Sequence, residues 1–265
     1  MAGNANTARF IASDSFDAAS NMAIDEAILQ AHLEDLVPTT LRLYQFSPAT
    51  VSVGYSQKLS GETINKITSK GFALVRRPTG GRAVLHQNDL TYSFVGSSRL
   101  TNSPRGNGML SESVIAAYKQ ICRGLILGFK QLGIEVEIGS SKSLGSDRVD
   151  CFQATTVADL HYQGKKLVGS AQVRRRHAVL QHGSIILNQS QELMRDLIGE
   201  DKNGQSAHHA NLYELAGRTI TVEELEVALR SGFEQAFSIE FVPSPLSKRE
   251  LDIRQQLLVK YAVNS

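Results

Sequence analysis

Four short stretches of the chain combine residue types that can do chemistry. The first is Arg76-Arg77-Pro78-Thr79-Gly80-Gly81-Arg82-Ala83-Val84-Leu85-His86. Two successive glycines after a strand-like run let the backbone turn sharply and approach a ligand with no Cβ in the way. Arginines on either side can hold an anionic group bidentately; an ordinary β-hairpin with solvated charges fits the same residues. His86, on a short strand, suits a structural role better than a catalytic one. The second stretch, Gly164-Lys165-Lys166-Leu167-Val168-Gly169-Ser170-Ala171-Gln172, opens an apolar, small-residue strand with two lysines. Period two puts Lys166 on one face with Val168 and Ser170, and Lys165 on the other with Leu167 and Gly169. An inward lysine is shifted by desolvation and serves as a base or a fixed cation; two exposed lysines at a hairpin are the plainer alternative.

The third is Cys151, in Asp150-Cys151-Phe152. A lone cysteine is usually a buried small hydrophobe, and Cys122, between Ile121 and Leu125-Ile126, fits that description. Cys151 fits it badly, because it follows a polar loop and precedes a strand. A reactive thiol needs partial exposure and a nearby cation, which Lys166 supplies if the hairpin folds back. The fourth stretch is Leu180-Gln181-His182-Gly183-Ser184, where a His-Gly within a strand marks either close backbone approach, as of a ligand, or a buried hydrogen-bonded histidine.

The surrounding elements follow from periodicity and punctuation. Residues 8–14 read as a strand, and Ser15 to Glu34 as a helix with Asp17 or Ser15 as cap. Strands are expected at Leu41–Phe46 and Val51–Tyr55, then a helix over Gly61–Ser69 closed by Gly71. Phe72–Arg76, Ala83–His86 and Leu90–Phe94 are further strands, and 96–110 a surface loop. Ser113–Leu132 is the longest helical pattern, stopped by Gly133. Ile134–Ile138 is a strand, and Val157–Tyr162 and Lys165–Arg174 form a hairpin at Gln163-Gly164. Val179–Leu187 follows. Thr221-x-x-Glu224 caps a helix ending near Phe237, Ser238–Val242 is a strand, and the tail from Leu246 is a charged helix. Strands cluster too irregularly for a doubly wound sheet, which predicts α+β with a mixed, mostly antiparallel sheet. A single domain over 8–245 and a C-terminal helix over 246–265 are expected.

Composition removes several classes. The 265 residues are 42% apolar, enough to bury a sizeable core. With 28 Lys plus Arg against 26 Asp plus Glu, the net charge of +2 argues against a dedicated nucleic-acid or polybasic membrane protein. Two cysteines make no disulfide framework and match no zinc spacing. His208-His209 reads as surface loop. There is no phosphate-binding glycine loop, no nucleophile elbow and no H-E-x-x-H. No apolar leader or membrane-length run is present, so a cytoplasmic protein with no metal and no cofactor is expected.

Taken together and in order, these motifs resemble the lipoate–octanoate transferase and ligase family, whose fold is shared with biotin protein ligases and class II aminoacyl-tRNA synthetases. Asn21-Met22-Ala23-Ile24-Asp25-Glu26-Ala27 resembles the family's N-terminal helix, and the Arg76–His86 segment its acyl-pocket loop. The Gly164–Gln172 segment is similar to the one carrying the family's functional lysine, which falls on Lys166; Leu180–Ser184 follows in its place. Cys151-Phe152 resembles the cysteine of the LipM type of octanoyltransferase, although Gln153–Asp159 departs from the pattern. The resemblance implies octanoyl transfer from acyl carrier protein through a thioester on Cys151, with Lys166 lowering the thiol's pKa. The acceptor it implies is a lysine of a lipoyl domain or of glycine cleavage H protein. It implies substrate binding by Arg77, Gly80, Gly81, His86, Gly169 and His182, no nucleic acid and no membrane. Arg174-Arg175-Arg176 and Lys165 are candidates for a basic rim. An ATP-dependent lipoate ligase and a non-catalytic carrier-binding protein are the alternatives. The region after about residue 190 carries no readable motif and is too short for the accessory domain of many bacterial ligases.

Overall fold

The computed structural model describes residues 7–98, 109–139, 159–188, 193, 196–197 and 209–263. The helices begin where a side chain satisfies the open amides of the first turn. Asp17 caps α1 (Ala18–Leu33) by accepting from the Ser20 amide at 2.8 Å. Ser60 caps α2 (Gly61–Ser69), Ser113 caps α3 (Val114–Gln131), and Asn211 caps the short α4 (Leu212–Ala216). Thr221 caps α5 (Val222–Phe237) by accepting from the Glu224 amide at 3.1 Å. A last helix, α6, spans Lys248–Val263.

Among the described residues there are also twelve strands: β1 (Thr7–Ile11), β2 (Ser15–Phe16), β3 (Thr40–Phe46), β4 (Thr50–Val53), β5 (Ala73–Arg76), β6 (Val84–His86), β7 (Asp89–Ser97), β8 (Glu137–Ile138), β9 (Leu160–Tyr162), β10 (Lys165–Arg175), β11 (Ala178–Ile186) and β12 (Glu240–Pro243). The main sheet runs β12-β1-β3-β7-β11-β10-β9-β8, with β2 paired to β3 off that path. It is parallel at β12-β1-β3 and antiparallel from β3 onward. A second sheet, β5-β4-β6, holds the strands on either side of the double glycine. The fold is therefore α+β with a mixed, mostly antiparallel sheet. Gly96 and Ser97, expected in a loop, continue β7 because they pair with Val179 and Ala178.

Alternation along β7 and β11 divides their residues between two environments. Leu90, Tyr92, Phe94 and Ile185 join Ile121, Cys122 and Leu125 of α3 and Leu229 and Phe233 of α5 in the main core. On the opposite face Val95 and Leu180 pack under Ile24, Ile28 and Leu29 of α1. That face also carries Thr91, Ser93, His182 and Ser184, all buried. The C-terminal helix is built into the body of the molecule: Ile253 packs on Ala27 and Ala31, Tyr261 on Met22 and Ala23, and Glu250 pairs with Arg9 of β1. Among the described residues no helix is long and apolar enough to cross a membrane.

Candidate active site

The double-glycine segment is held by its own arginines. Arg77 is buried and spends its guanidinium on backbone carbonyls: Ser52 at 3.1 Å, Gly80 at 3.1 and 2.6 Å, and Arg82 at 2.7 Å. Burial lowers its pKa to about 10, which still leaves it a cation near neutral pH. Arg76 donates to the carbonyls of Gly54 and Gln57 at 2.8 and 2.6 Å. The expectation that these two forks grip an anion therefore meets a different arrangement. A turn folded over a buried strand end leaves carbonyls facing inward with no amide to meet them, and the arginines fill that need. The consequence lies on the other edge of the turn. Neither the Gly80 nor the Gly81 amide has a partner among the described residues, and a Cβ at Gly80 would meet nothing within 4 Å. Gly81 adopts φ +90°, and a Cβ at Gly54 would land on the Gly81 carbonyl oxygen.

Below the turn runs a buried polar chain. The Thr79 hydroxyl lies 2.7 Å from His182 Nε2, and His182 Nδ1 lies 3.0 Å from Asp25 Oδ2. Asp25 also accepts from Arg42 at 2.7 Å and from the Tyr44 hydroxyl at 2.8 Å, and Arg42 donates to Asn21 Oδ1 at 2.6 Å. Burial alone would raise the Asp25 pKa, but the Arg42 charge and the bonds from His182 and Tyr44 outweigh it and hold the carboxyl below its ordinary range. Burial pushes the His182 pKa down despite Asp25, so the ring is neutral near pH 7. A carboxylate only accepts, so Nδ1 carries the proton and Nε2 is left to accept from Thr79. Asn21 and Asp25, one helical turn apart on α1, thus meet the same arginine. The plainer reading of His182, a buried hydrogen-bonded histidine, describes its surroundings. What approaches Gly183 is the adjacent strand: an added Cβ would stand 2.8 Å from Ser170 Oγ and from the Tyr92 ring.

His86 is similarly occupied, with Nδ1 2.8 Å from Asp89 and Nε2 2.9 Å from Ser52 Oγ, under a stacked Phe46 ring. Ser184 donates to the same Asp89 oxygen at 2.6 Å.

Lys166 sits at the far side of the same sheet face. Its Nζ lies 2.7 Å from Asp159 Oδ2, with 29% of its side chain exposed, and Asp159 Oδ1 accepts from the Ser170 amide at 3.3 Å. The two-residue alternation expected for this strand is broken by a bulge between Lys166 and Val168. The bulge buries Leu167 and Val168 together and lays the lysine over Gly169, whose added Cβ would be 2.8 Å from Lys166 Cε. Gly169 is thus the residue that lets the lysine cross. It pairs with Ser184, which shares a face with His182, so the ammonium and the glycine turn stand over neighbouring strands on one side of the sheet. His209, expected in a surface loop, instead bridges to Lys166, and Ala210 donates to the Lys166 carbonyl at 2.9 Å.

Cys122 lies in the core, its thiol pushed up to about 12 by burial and by the Asp159 charge. Cys151 lies outside the described residues. Of the expected basic rim, Arg174 donates to the Glu112 carbonyl at 2.7 Å and Arg175 pairs with buried Glu26, leaving Arg176 and Lys165 exposed. Sequence reasoning gave no role of their own to Asp25 and Thr79, which lie within quoted motifs, or to Asp159, Asp89 and the C-terminal Lys260 and Tyr261, which also bond Glu26. The one available signal was an acidic residue within a run expected to be a buried strand or helix face, as at Asp159 and Asp25.

Comparison with known proteins identifies the family and the fold. The family model of the lipoyl protein ligase A/B catalytic domain matches residues 17–234. Octanoyltransferase LipM of Carboxydothermus hydrogenoformans is 38% identical over 261 residues, covering 95% of this chain and 94% of that protein. The crystal structure of a lipoate-protein ligase A bound with ATP superposes with a TM-score of 0.76 at 21% identity, covering 96% of this chain and 95% of that one. A bipartite lipoate protein ligase from Thermoplasma acidophilum, solved in a study of that ligase and its E2 lipoyl domain, gives 0.75 at 20% identity over 96% and 93%. At those identities the two structures show a shared fold.

Proposed function

Because this chain belongs to the lipoyl protein ligase A/B catalytic-domain family, we propose that it is an octanoyltransferase of lipoate biosynthesis that moves the acyl group through a thioester on Cys151. The donor is octanoyl-acyl carrier protein, and the acceptor is a lysine of a lipoyl domain or of glycine cleavage H protein; the setting is the cytoplasm. The observation that carries this reading is the pairing of an ammonium and two uncommitted backbone amides on one sheet face. The similarity to LipM over nearly the whole chain points to the same reaction.

The steps follow from that pairing. The Cys151 thiolate, stabilised by the Lys166 ammonium, attacks the donor's thioester carbonyl. Negative charge gathers on the carbonyl oxygen, where the Gly80 and Gly81 amides receive it. The bond to the donor sulfur breaks, and the pantetheine thiolate leaves with a proton from the Lys166 ammonium, which becomes the free amine. The acceptor's ε-amine, as free base, then attacks the acyl-enzyme. A C–N bond forms, Cys151 leaves as thiolate, and the surplus proton passes from the nitrogen to Lys166 or through water. One thioester is exchanged for another and then for an amide, so no nucleotide is consumed. Arg77 sets the glycine turn by holding its carbonyls, Gly169 gives Lys166 its lane, and His86 and His182 brace the strands beneath. Cys122 supports the assignment by contrast, since a thiol near pKa 12 in the core offers negligible thiolate.

Mixing the protein with octanoyl-acyl carrier protein is expected to add one octanoyl mass, removed by hydroxylamine and absent in Cys151→Ala. Activity that requires ATP and survives Cys151→Ala would replace this account with nucleotide-driven ligation. Binding without turnover would indicate a carrier-binding protein.

A further inference from the structure

From the chain beneath the glycine turn we infer that Asp25 and His182 are positioning residues for acyl transfer: they fix the Thr79 hydroxyl, and through it aim the Gly80 and Gly81 amides. The inference rests on the proposed acyl-transfer reading and adds residues to it.

Three observations carry it. First, the turn is braced to the small sheet through Arg77, Arg76 and the Tyr55 amide, which donates to the Thr79 carbonyl at 2.8 Å. One side-chain link from the turn to the main sheet is Thr79 to His182 at 2.7 Å. Second, the direction of every bond is set. Arg42 and Tyr44 fix Asp25, Asp25 fixes the Nδ1–H form of His182, and that form requires Thr79 to be the donor. Third, all members are buried: Thr79 is 1% exposed, His182 5% and Asp25 0%. Water therefore does not substitute easily for a missing partner. A turn held only by the small sheet would follow that sheet's motion, whereas Lys166 belongs to the main sheet. The Asp25–His182–Thr79 chain ties the two halves of the reacting centre to one frame.

Paired substitutions separate this role from plain stability. Asparagine at 182 places an amide near the Nδ1 position and keeps the Asp25 bond while losing Thr79. Glutamine places its amide near Nε2 and keeps the Thr79 bond. Single-turnover acylation by octanoyl-acyl carrier protein is followed in the full-length wild type, Thr79→Val, Thr79→Ser, His182→Asn and His182→Gln. The expected result is a fall of about 10–100-fold in the saturating acylation rate for Thr79→Val and His182→Asn, as when an oxyanion donor is misplaced. The donor concentration for half-saturation should stay within about threefold, because the misplaced amides act on the transition state. Thr79→Ser should recover most of the rate, and His182→Gln part of it, because Gln keeps the Thr79 bond but gives up the one to Asp25. Hydrogen exchange of the Tyr55 amide in the free protein is expected to accelerate in the same two damaged variants. Wild-type rates and unchanged Tyr55 exchange in Thr79→Val would overturn the inference while leaving the acyl-enzyme reading intact. If the wild type forms no acyl-enzyme, that reading fails, and the Tyr55 exchange still decides whether the chain holds the turn. If Thr79→Val does not fold, the His182→Asn and His182→Gln pair carries the same contrast.

Discussion

The two sides of the candidate site are built by opposite means. On the glycine side, Arg77, Thr79, His182, Asp25 and Arg42 are all buried, and each of these five side chains has a hydrogen-bond partner. On the lysine side, a bulged strand near the edge of the sheet carries one ammonium with 29% of its side chain exposed, held by one carboxylate. The first side is strongly destabilised by any change that strands one of these buried groups. The second keeps its reactive amine within reach of a protein substrate. This division suits a reaction in which a small acyl group must be held rigidly while two large partners come and go.

The comparison makes predictions that differ in kind. Lys166→Ala should cost the most activity, on the order of 10²–10⁴-fold in transfer rate. Its effect on stability should be within about 1 kcal/mol, since a partly exposed ion pair contributes little. A large loss of stability in Lys166→Ala, measured by urea unfolding, would break the contrast. Arg42→Met should do the reverse in kind, lowering stability by about 3–5 kcal/mol, because it strands the Asp25 carboxylate in the interior. Gly54→Ala should lower stability by about 1–3 kcal/mol through its collision with the Gly81 carbonyl, and should slow acylation because the turn must shift.

The smallest effect is on pH dependence. His182 and His32 are both pushed below the ordinary histidine value of 6.5 by burial. As pH falls through 6.5 the unfolded chain takes up protons before the folded one, so stability is complete above that pH and declines below it. The slope is at most about 1.4 kcal/mol per pH unit for each histidine. Thermal midpoints at pH 8 and pH 5.5 test this, and no difference between them would contradict it. Asp25, Glu26 and Glu250, held below their ordinary range, add a second loss only at lower pH.

What was legible in the sequence was local. The Gln163-Gly164 hairpin forms with both residues at positive φ, +49° and +77°, as its two-residue turn requires. The helix over Gly61–Ser69, the Thr221 cap and the stop at Gly133 likewise depend on neighbours a few residues away. The orientation of Lys166 was misread because the bulge depends on how β9 pairs with β10, which alternation within one strand does not contain. Arg77 was misread because its partners are backbone carbonyls, which every residue has and no pattern marks. Asp25 and His182 are 157 residues apart, so the chain beneath the turn exists only once α1 has packed across the sheet. The region after residue 190, silent as sequence, contributes Glu250, Lys260 and Tyr261 to ion pairs and hydrogen bonds with the buried Arg9 of β1 and Glu26 of α1.

The central claim is that the acyl group travels on the protein itself. The most direct measurement is to load the protein with labelled octanoate from its carrier, remove donor and free nucleotide, and add a lipoyl domain. The account predicts that label moves from Cys151 to the acceptor lysine, one octanoyl per protein, with no further reagent. Label that remains on the protein, or that reaches the acceptor only when ATP is supplied, would contradict it.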